Sequence, residues 1–528
     1  MSENSQSHWV DTIATKILKQ HSDKDSICCA SGITPSGTVH IGNFREIITT
    51  ELIVRSLREL TDKNIRFIYS WDDYDVFRKV PQNMPNQDML RSYLRKPIVD
   101  IPDPTESGYK SYAQLHEKRI EECMPKLGIF PEYLYQSEKY RAKEYAEGMK
   151  KALEKRLVIK EILDKWRKEP LPESYVPIRI FCEKCNKDTV EDIVYEGDYK
   201  VTYTCECGHS DTFDLREKGI AKLSWRIDWP MRWSVEKVLF EPGGKDHSSP
   251  GGSYETGKEI AQKVYNFNAP MYIMYDFIRI KGAGGKISSS TGNVITIDTV
   301  LDIYEPEMVR WLFASTRPGS EFAISFDGDV IKLYEDFDKC ERVYYHPEIA
   351  KNEKEAGQQK RIYELSQIQP VKPQDQKEQI GFRHITTILQ IFELDVEKTY
   401  EFLKKSHTNI EEKRIKVRIQ CAKNWILHYA PDEFKFIVSD ETKHVIEEHV
   451  APAFEYLIQK LQTESDPEKI GLEVYHFCKE KGIAPKDFFT HAYKALISRD
   501  KGPKLIPFIQ AIGVERAVLI FQKALKNP

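Results

Sequence analysis

The feature that most limits what this chain can fold into lies between residues 26 and 73. Residues 26–32 (SICCASG) form a short apolar run that ends in glycine, which reads as a buried strand entering a loop. Residues 33–42 make that loop, and residues 43–60 then carry Phe44, Ile47, Ile48, Leu52 and Leu57 at helical spacing. Residues 64–71 (NIRFIYSW) read as a second strand, which stops at Asp72 and Asp73. Strand, loop, helix, strand is a βαβ unit, and its economical home is an α/β core with a Rossmann-like, doubly wound parallel sheet. Such sheets bind ligands beyond the carboxyl ends of their strands, where the loop and Asp72 both fall.

The loop and the start of its helix read TPSGTVHIGN over residues 34–43. Pro35 and Gly37 shape a tight turn, and Gly42 leaves the backbone open to a large ligand. The helix that follows offers free N–H groups and a positive dipole end to phosphate. His40 and Asn43 add hydrogen-bonding groups on the same side. None of these is a nucleophile, so the set suits charge stabilisation in nucleotidyl transfer; the plainer alternative is that His40 only caps a helix. A second loop, GAGGKISSSTGN over residues 282–293, places Lys286 where glycine gives mobility. A lysine there can swing onto the α-phosphate or the departing pyrophosphate, the alternative being a solvated connector.

The 528 residues are too many for one core and predict two to four domains. With a net charge of −4 the chain is not globally basic, so a nucleic-acid partner must meet a local patch. The first twenty residues lack the pattern of a secretory leader, and no run is apolar for the length of a membrane span. The expected compartment is therefore cytoplasmic, with no membrane partner. The predicted organisation is a first half of the core over 1–80, an insertion over 81–240, a second half over 241–330, and a helical region over 331–528. Residues 271–280 (MYIMYDFIRI) read as one strand, and 358–377, rich in Gln and Pro, as a loop or linker.

Ten cysteines in so long a chain are not a disulfide scaffold, and clustered ones read as metal ligands. Cys182 and Cys185 form a CxxC pair, and Cys205 and Cys207 a CxC pair, within a compact module over 182–209. This approximates a zinc-ribbon spacing. The expected ligands are these four cysteines, with His209 the rival to Cys207 for the fourth place. Four protein ligands leave no open position for water, so the zinc is expected to be structural.

The two loops together resemble the HIGH and KMSKS motifs of class I aminoacyl-tRNA synthetases. His40-Ile41-Gly42-Asn43 departs at Asn43, and Lys286-Ile287-Ser288-Ser289-Ser290 departs at Ser289, which leaves Lys286 to carry the charge. Residues 30–46, 70–81, 225–233 (WRIDWPMRW), 243–258 (GGKDHSSPGGSYETGK) and 286–293 resemble, in that order, the signatures of class I lysyl-tRNA synthetases of the archaeal and bacterial-minority type. The resemblance implies a lysine–tRNA ligase that forms lysyl-adenylate from ATP and loads the 3′-terminal adenosine of tRNA(Lys). It implies catalysis by His40, Asn43 and Lys286, with ATP, carrying Mg²⁺, held by Pro35, Ser36, Thr38, Gly42, Asp246, Ser288 and Ser289. Asp72, by similarity, holds the α-ammonium of L-lysine. An ammonium on an apolar stem wants aromatic walls and acceptors, for which Trp229, Tyr275, Asp228 and His247 are candidates, with Gly32 and Thr34 as the floor. Trp225, Trp229 and Trp233 have helical spacing, but Pro230 argues for a loop there. The family's further metal site after an Asp-Pro pair is not expected, because Thr105, Glu106, Ser107 and Gly108 follow Asp103-Pro104. The helical C-terminal region, with its basic run from Lys413 to Arg418, resembles an anticodon-binding domain, and the protein is expected to act as a monomer. The rivals are a glutamyl or other class I synthetase, a nucleotidyltransferase that never meets RNA, and an inactive RNA-binding module.

Overall fold

The structure is a computed structural model that describes residues 8–281 and 294–526. Helix α1 (Trp9–Gln20) leads into strand β1 (Ser26–Ile33), helix α2 (Ile41–Leu60) and strand β2 (Asn64–Trp71). β1 and β2 pair in parallel, Ser26 beside Asn64 through Ile33 beside Trp71, so the predicted βαβ unit is present. The chain then makes β3 (Glu132–Tyr135), the short pair β4 (Ile178–Ile180) and β8 (Ala221–Leu223), and between them the meander β5 (Val190–Gly197), β6 (Lys200–Cys205) and β7 (Ser210–Asp214). β9 (Val238–Gly244) and β10 (Met271–Tyr275) complete the main sheet, whose order is β10-β9-β1-β2-β3 with every pairing parallel. The chain runs outward from β1 in both directions, which puts a topological switch point, and hence a ligand crevice, beside the carboxyl end of β1.

Three expectations change. The stretch 81–240 is not wholly an insertion, because β3 returns to the sheet beside β2, Ile68 opposite Glu132. Residues 271–280 are two strands: β10 ends at Tyr275, and β11 (Ile278–Ile280) pairs instead with β12 (Phe322–Ile324). Arg45 explains the break. Its guanidinium donates to the carbonyls of Asp276 at 2.7 Å and Phe277 at 3.1 Å, taking acceptors that a continuous strand would spend on a ladder. Finally, residues 358–366 belong to a helix, Glu353–Ser366, not a linker.

The chain divides into two compact units. The first contains residues 1–301, 306–324 and 340–373; the second contains 302–305, 325–339 and 374–528. A single cut near residue 330 therefore does not describe it. Residues 340–373 fold with the first unit because Arg361 binds Asp11 and Glu59, both at 2.7 Å. In the second unit all described elements are helical. There Arg418, almost fully buried, donates to Glu305 at 2.5 Å and to Asp338 at 3.0 Å. Among the described residues no single helix is long and apolar enough to cross a membrane.

Candidate active site and metal centre

The loop after β1 and the start of α2 line a cleft of about 510 Å³. His40 is the N-cap of α2; its backbone N–H donates to the Asn43 side-chain oxygen at 3.1 Å, and Asn43 N–H returns to the His40 carbonyl at 2.8 Å. That closed turn points the helix N-terminus into the cleft. Gly42 is required here, because a Cβ would come within 2.9 Å of the His40 ring. Gly32 is glycine for another reason: a Cβ would meet the Ser70 carbonyl oxygen at 2.7 Å, so it serves strand packing.

Of the residues expected from the sequence, Gly32, Thr34, Ser36, Thr38, His40, Gly42 and Asn43 line the cleft from one side. Asp72, Asp246, His247 and Tyr275 line it from the others. Trp229 lines a recess of about 50 Å³ that shares Gly32, Asp72 and His247 with the cleft. Pro35 and Asp228 line neither. Lys286, Ser288 and Ser289 lie outside the described residues. The flanks of that stretch are placed: Ile280 ends β11, and the Ile295 carbonyl accepts the Ile41 N–H at 2.8 Å, at the first turn of α2.

Residues 225–236 form a continuous helix, against the expectation drawn from Pro230. The proline's fixed φ is helical and its cost is one lost backbone bond. Against that cost stand the indoles of Trp225 and Trp229, stacked at 5.3 Å, and those of Trp229 and Trp233, at 4.8 Å. The helix aims Arg232 at the end of β2, where it meets Asp72 at 2.7 Å and Asp228 at 3.4 Å. Asp228 is 1% exposed and also accepts from the Tyr140 hydroxyl. Its place is therefore beneath the cleft, supporting Arg232. Burial raises the pKa of Asp72, and Arg232 opposes the shift. Burial also pushes Asp75 up, but the Lys222 ammonium beside it outweighs this and holds it below the ordinary carboxylate range. Three carboxylates thus face two cations before any ligand arrives.

Two further acids went unread in the sequence. Glu46 sits three residues after Asn43, on the same face of α2, and that spacing was the available signal. It accepts from Tyr275 Oη at 2.6 Å and from Gly32 N–H at 2.9 Å. Glu241, on β9, is buried and accepts from Trp233 Nε1 at 2.5 Å. Both line the recess, and burial pushes Glu46 up to about 8 and Glu241 to about 7. No local pattern marked Glu241, because its partners arrive from a helix.

The cysteine module is separate from the cleft. The Sγ atoms of Cys182, Cys185, Cys205 and Cys207 all lie within 4.8 Å of one another, with Cys182–Cys207 and Cys185–Cys205 both at 3.7 Å. Four sulfurs about 2.3 Å from a tetrahedral zinc stand about 3.8 Å apart, so the quartet fits that ion. Gly208, at φ +81°, makes the turn that turns Cys207 back toward Cys205. His209 lies outside the group, its ring edge-on to Tyr203. Asp103 accepts from the backbone N–H groups of Thr105 and Ser107, both at 2.9 Å, and is spent on that turn.

The profile of the family described as tRNA synthetases class I (K) matches residues 7–369. The chain belongs to this family. This class I synthetase is 48% identical to the lysine–tRNA ligase of Borreliella burgdorferi over 98% of its own length and 99% of the relative's. It is 45% identical to that of Treponema pallidum (96% and 97%) and 40% identical to that of Thermococcus kodakarensis (96% and 98%). A solved glutamate–tRNA ligase from Elizabethkingia meningosepticum superposes on the synthetase with a TM-score of 0.45 at 13% identity, over 94% of this chain and 99% of that one.

Proposed function

We propose that this chain is a lysine–tRNA ligase that joins L-lysine to ATP in the cleft and passes the lysyl group to tRNA(Lys). The observation that carries the reading is the polarity of the cleft. One end is a helix N-terminus, with His40 and Asn43, suited to phosphate. The other end is acidic and walled by Trp225 and Trp229, suited to a cation on an apolar stem. ATP and a doubly cationic amino acid have that same polarity.

In the first step a lysine carboxylate oxygen attacks the α-phosphorus in line. The bond from that phosphorus to the bridging oxygen breaks, and pyrophosphate leaves. The α2 N–H groups and His40 stabilise the charge that develops, and Lys286 follows the leaving group. Asp72, held in place by Arg232, takes the α-ammonium, and Asp246 takes the ribose hydroxyls. Mg²⁺ arrives on the phosphates of ATP. In the second step the 2′-hydroxyl of the terminal adenosine attacks the lysyl carbonyl carbon, and AMP leaves. The four cysteines hold a structural zinc away from this chemistry. The second unit reads the anticodon; its cavity of about 880 Å³ is lined by Arg383, Arg499 and Lys504 together with the half-buried Phe434 and Phe436, which is the make-up of a basic site with stacking surfaces for unpaired bases. Pyrophosphate exchange measured with each of the twenty amino acids tests the assignment: exchange dependent on lysine alone is expected, and exchange with glutamate instead would move the chain to another specificity.

A further inference from the structure

Lys222 is 2% exposed, lines neither the cleft nor the recess, and sits on β8 opposite Arg179 of β4. A buried lysine is costly, and a buried ion pair is seldom worth more to stability than two apolar groups of the same size. Its ammonium is spent on Asp75, which does line the cleft. Asp75 is held by its backbone as well: its N–H donates to the Asp72 carbonyl at 3.3 Å, and its own carbonyl accepts from the Ile98 N–H at 2.9 Å. The second carboxylate oxygen of Asp75 accepts from the Thr34 hydroxyl at 3.3 Å. Thr34 and Asp72 follow directly on Ile33 and Trp71, the last paired residues of β1 and β2, and both line the cleft. The contacts therefore run from a cation outside the cleft, through one carboxylate, to a hydroxyl beside the residue assigned to the α-ammonium of lysine.

A hydroxyl has one hydrogen to give, and an ionised carboxylate can only accept. While Asp75 is charged the Thr34 hydrogen is committed to it, and the oxygen has only its lone pairs to offer a ligand. Such an oxygen suits an ammonium and repels a phosphate oxygen. We infer that Lys222 is a positioning residue for the amino acid: by keeping Asp75 an acceptor, it fixes the Thr34 hydroxyl as an acceptor for the α-ammonium, beside Asp72. This rests on the lysine reading above and deepens it. The other charged groups acting on Asp75 are Arg232 from the helix Trp225–Glu236 and Arg78 and Asp72 from its own segment, while Asp228 acts on Lys222. Arg232 is bonded to Asp72, and Lys222 is the cation that pairs with Asp75 among the described residues. Without Lys222, burial favours a neutral Asp75 that has taken a proton from solvent. A protonated Asp75 donates, the Thr34 oxygen accepts from it, and the Thr34 hydrogen turns to the cleft. Losing the ammonium and gaining the proton leave the net charge unchanged, so the change is one of hydrogen-bond direction.

Lysine-dependent pyrophosphate exchange by the full-length enzyme tests this, with 6-aminohexanoate as a competitor. That compound keeps the carboxylate and side-chain ammonium of lysine and lacks the α-ammonium. Lys222→Met should raise KM for lysine about 10- to 100-fold, the worth of one hydrogen bond to a charged group. The inhibition constant of 6-aminohexanoate and the KM for ATP should change by less than about 2-fold, as for independent contacts. Thr34→Val, which keeps the shape and removes the hydroxyl, should show the same split, and the double variant should bind lysine little worse than either alone. Equal weakening of lysine and 6-aminohexanoate, lysine held by Lys222→Met as tightly as by the parent, or losses that multiply in the double variant each overturn the inference. If Lys222→Met does not fold, Thr34→Val decides, and equal loss of both compounds again overturns it. Absence of lysine-dependent exchange in the unaltered enzyme would instead remove the substrate assignment, and the two failures are thus told apart.

Discussion

At the scale of single residues, His40 is both a helix cap and a candidate catalytic group, and the two roles separate by experiment. His40→Ala and Lys286→Ala should each slow lysine-dependent pyrophosphate exchange by about 10²- to 10³-fold, as removal of one charge-stabilising donor does. Thermal melts of both variants should stay near that of the parent; exchange at the parental rate would remove the assigned roles. Arg232 behaves differently. Asp72 and Asp228 are both buried against it, so Arg232→Met leaves two acids uncompensated and should cost about 3–5 kcal/mol in a denaturant titration. Glu46 adds a pH signature. Its carboxyl is raised to about 8 by burial, above the ordinary 4.5, so between those values the folded chain keeps a proton that the unfolded chain has released. Stability from this group is complete at low pH and is lost as pH rises toward 8. Melting temperatures of the ligand-free enzyme should therefore fall across that window relative to Glu46→Gln, and parallel curves would contradict it. His40, Gly42 and Asn43 could be read from local order because loop and helix are contiguous. Arg232 could not, since its meaning depends on Asp72, which is 160 residues away.

At the scale of elements, the helix Trp225–Glu236 shows why a proline is weak evidence against a helix. The ring's penalty is local and small in number, while three indoles in register bind the element along its length. The split of 271–280 into β10 and β11 was invisible for the opposite reason: the residues are uniformly strand-forming, and the break comes from a guanidinium on α2. In the cysteine module the spacing was legible and the fourth ligand was not. Cys207→Ser should abolish bound zinc in metal analysis of the purified protein, whereas His209→Ala should retain one zinc per chain. The reverse pattern would reassign the site. Because four-sulfur zinc sites contribute to folding directly, Cys207→Ser should also melt at lower temperature.

At the scale of the whole molecule, the parallel sheet and the helical C-terminal region could be foreseen from periodicity, and the division into units could not. The contacts that define the units join residues hundreds of positions apart, such as Arg361 to Asp11. The second unit has an ordering consequence for its own synthesis. Glu305 and Asp338 are nearly inaccessible in the finished structure, and Arg418, which neutralises both, comes 113 and 80 residues later. At about 5–20 residues per second, Glu305 leaves the ribosome about 5–20 s before its cation exists. Until the helix Glu412–His428 emerges, those two acids stay in water, because burying them unpaired is too costly. Arg418 therefore acts as a clock hand: the second unit closes only after most of the message has been read.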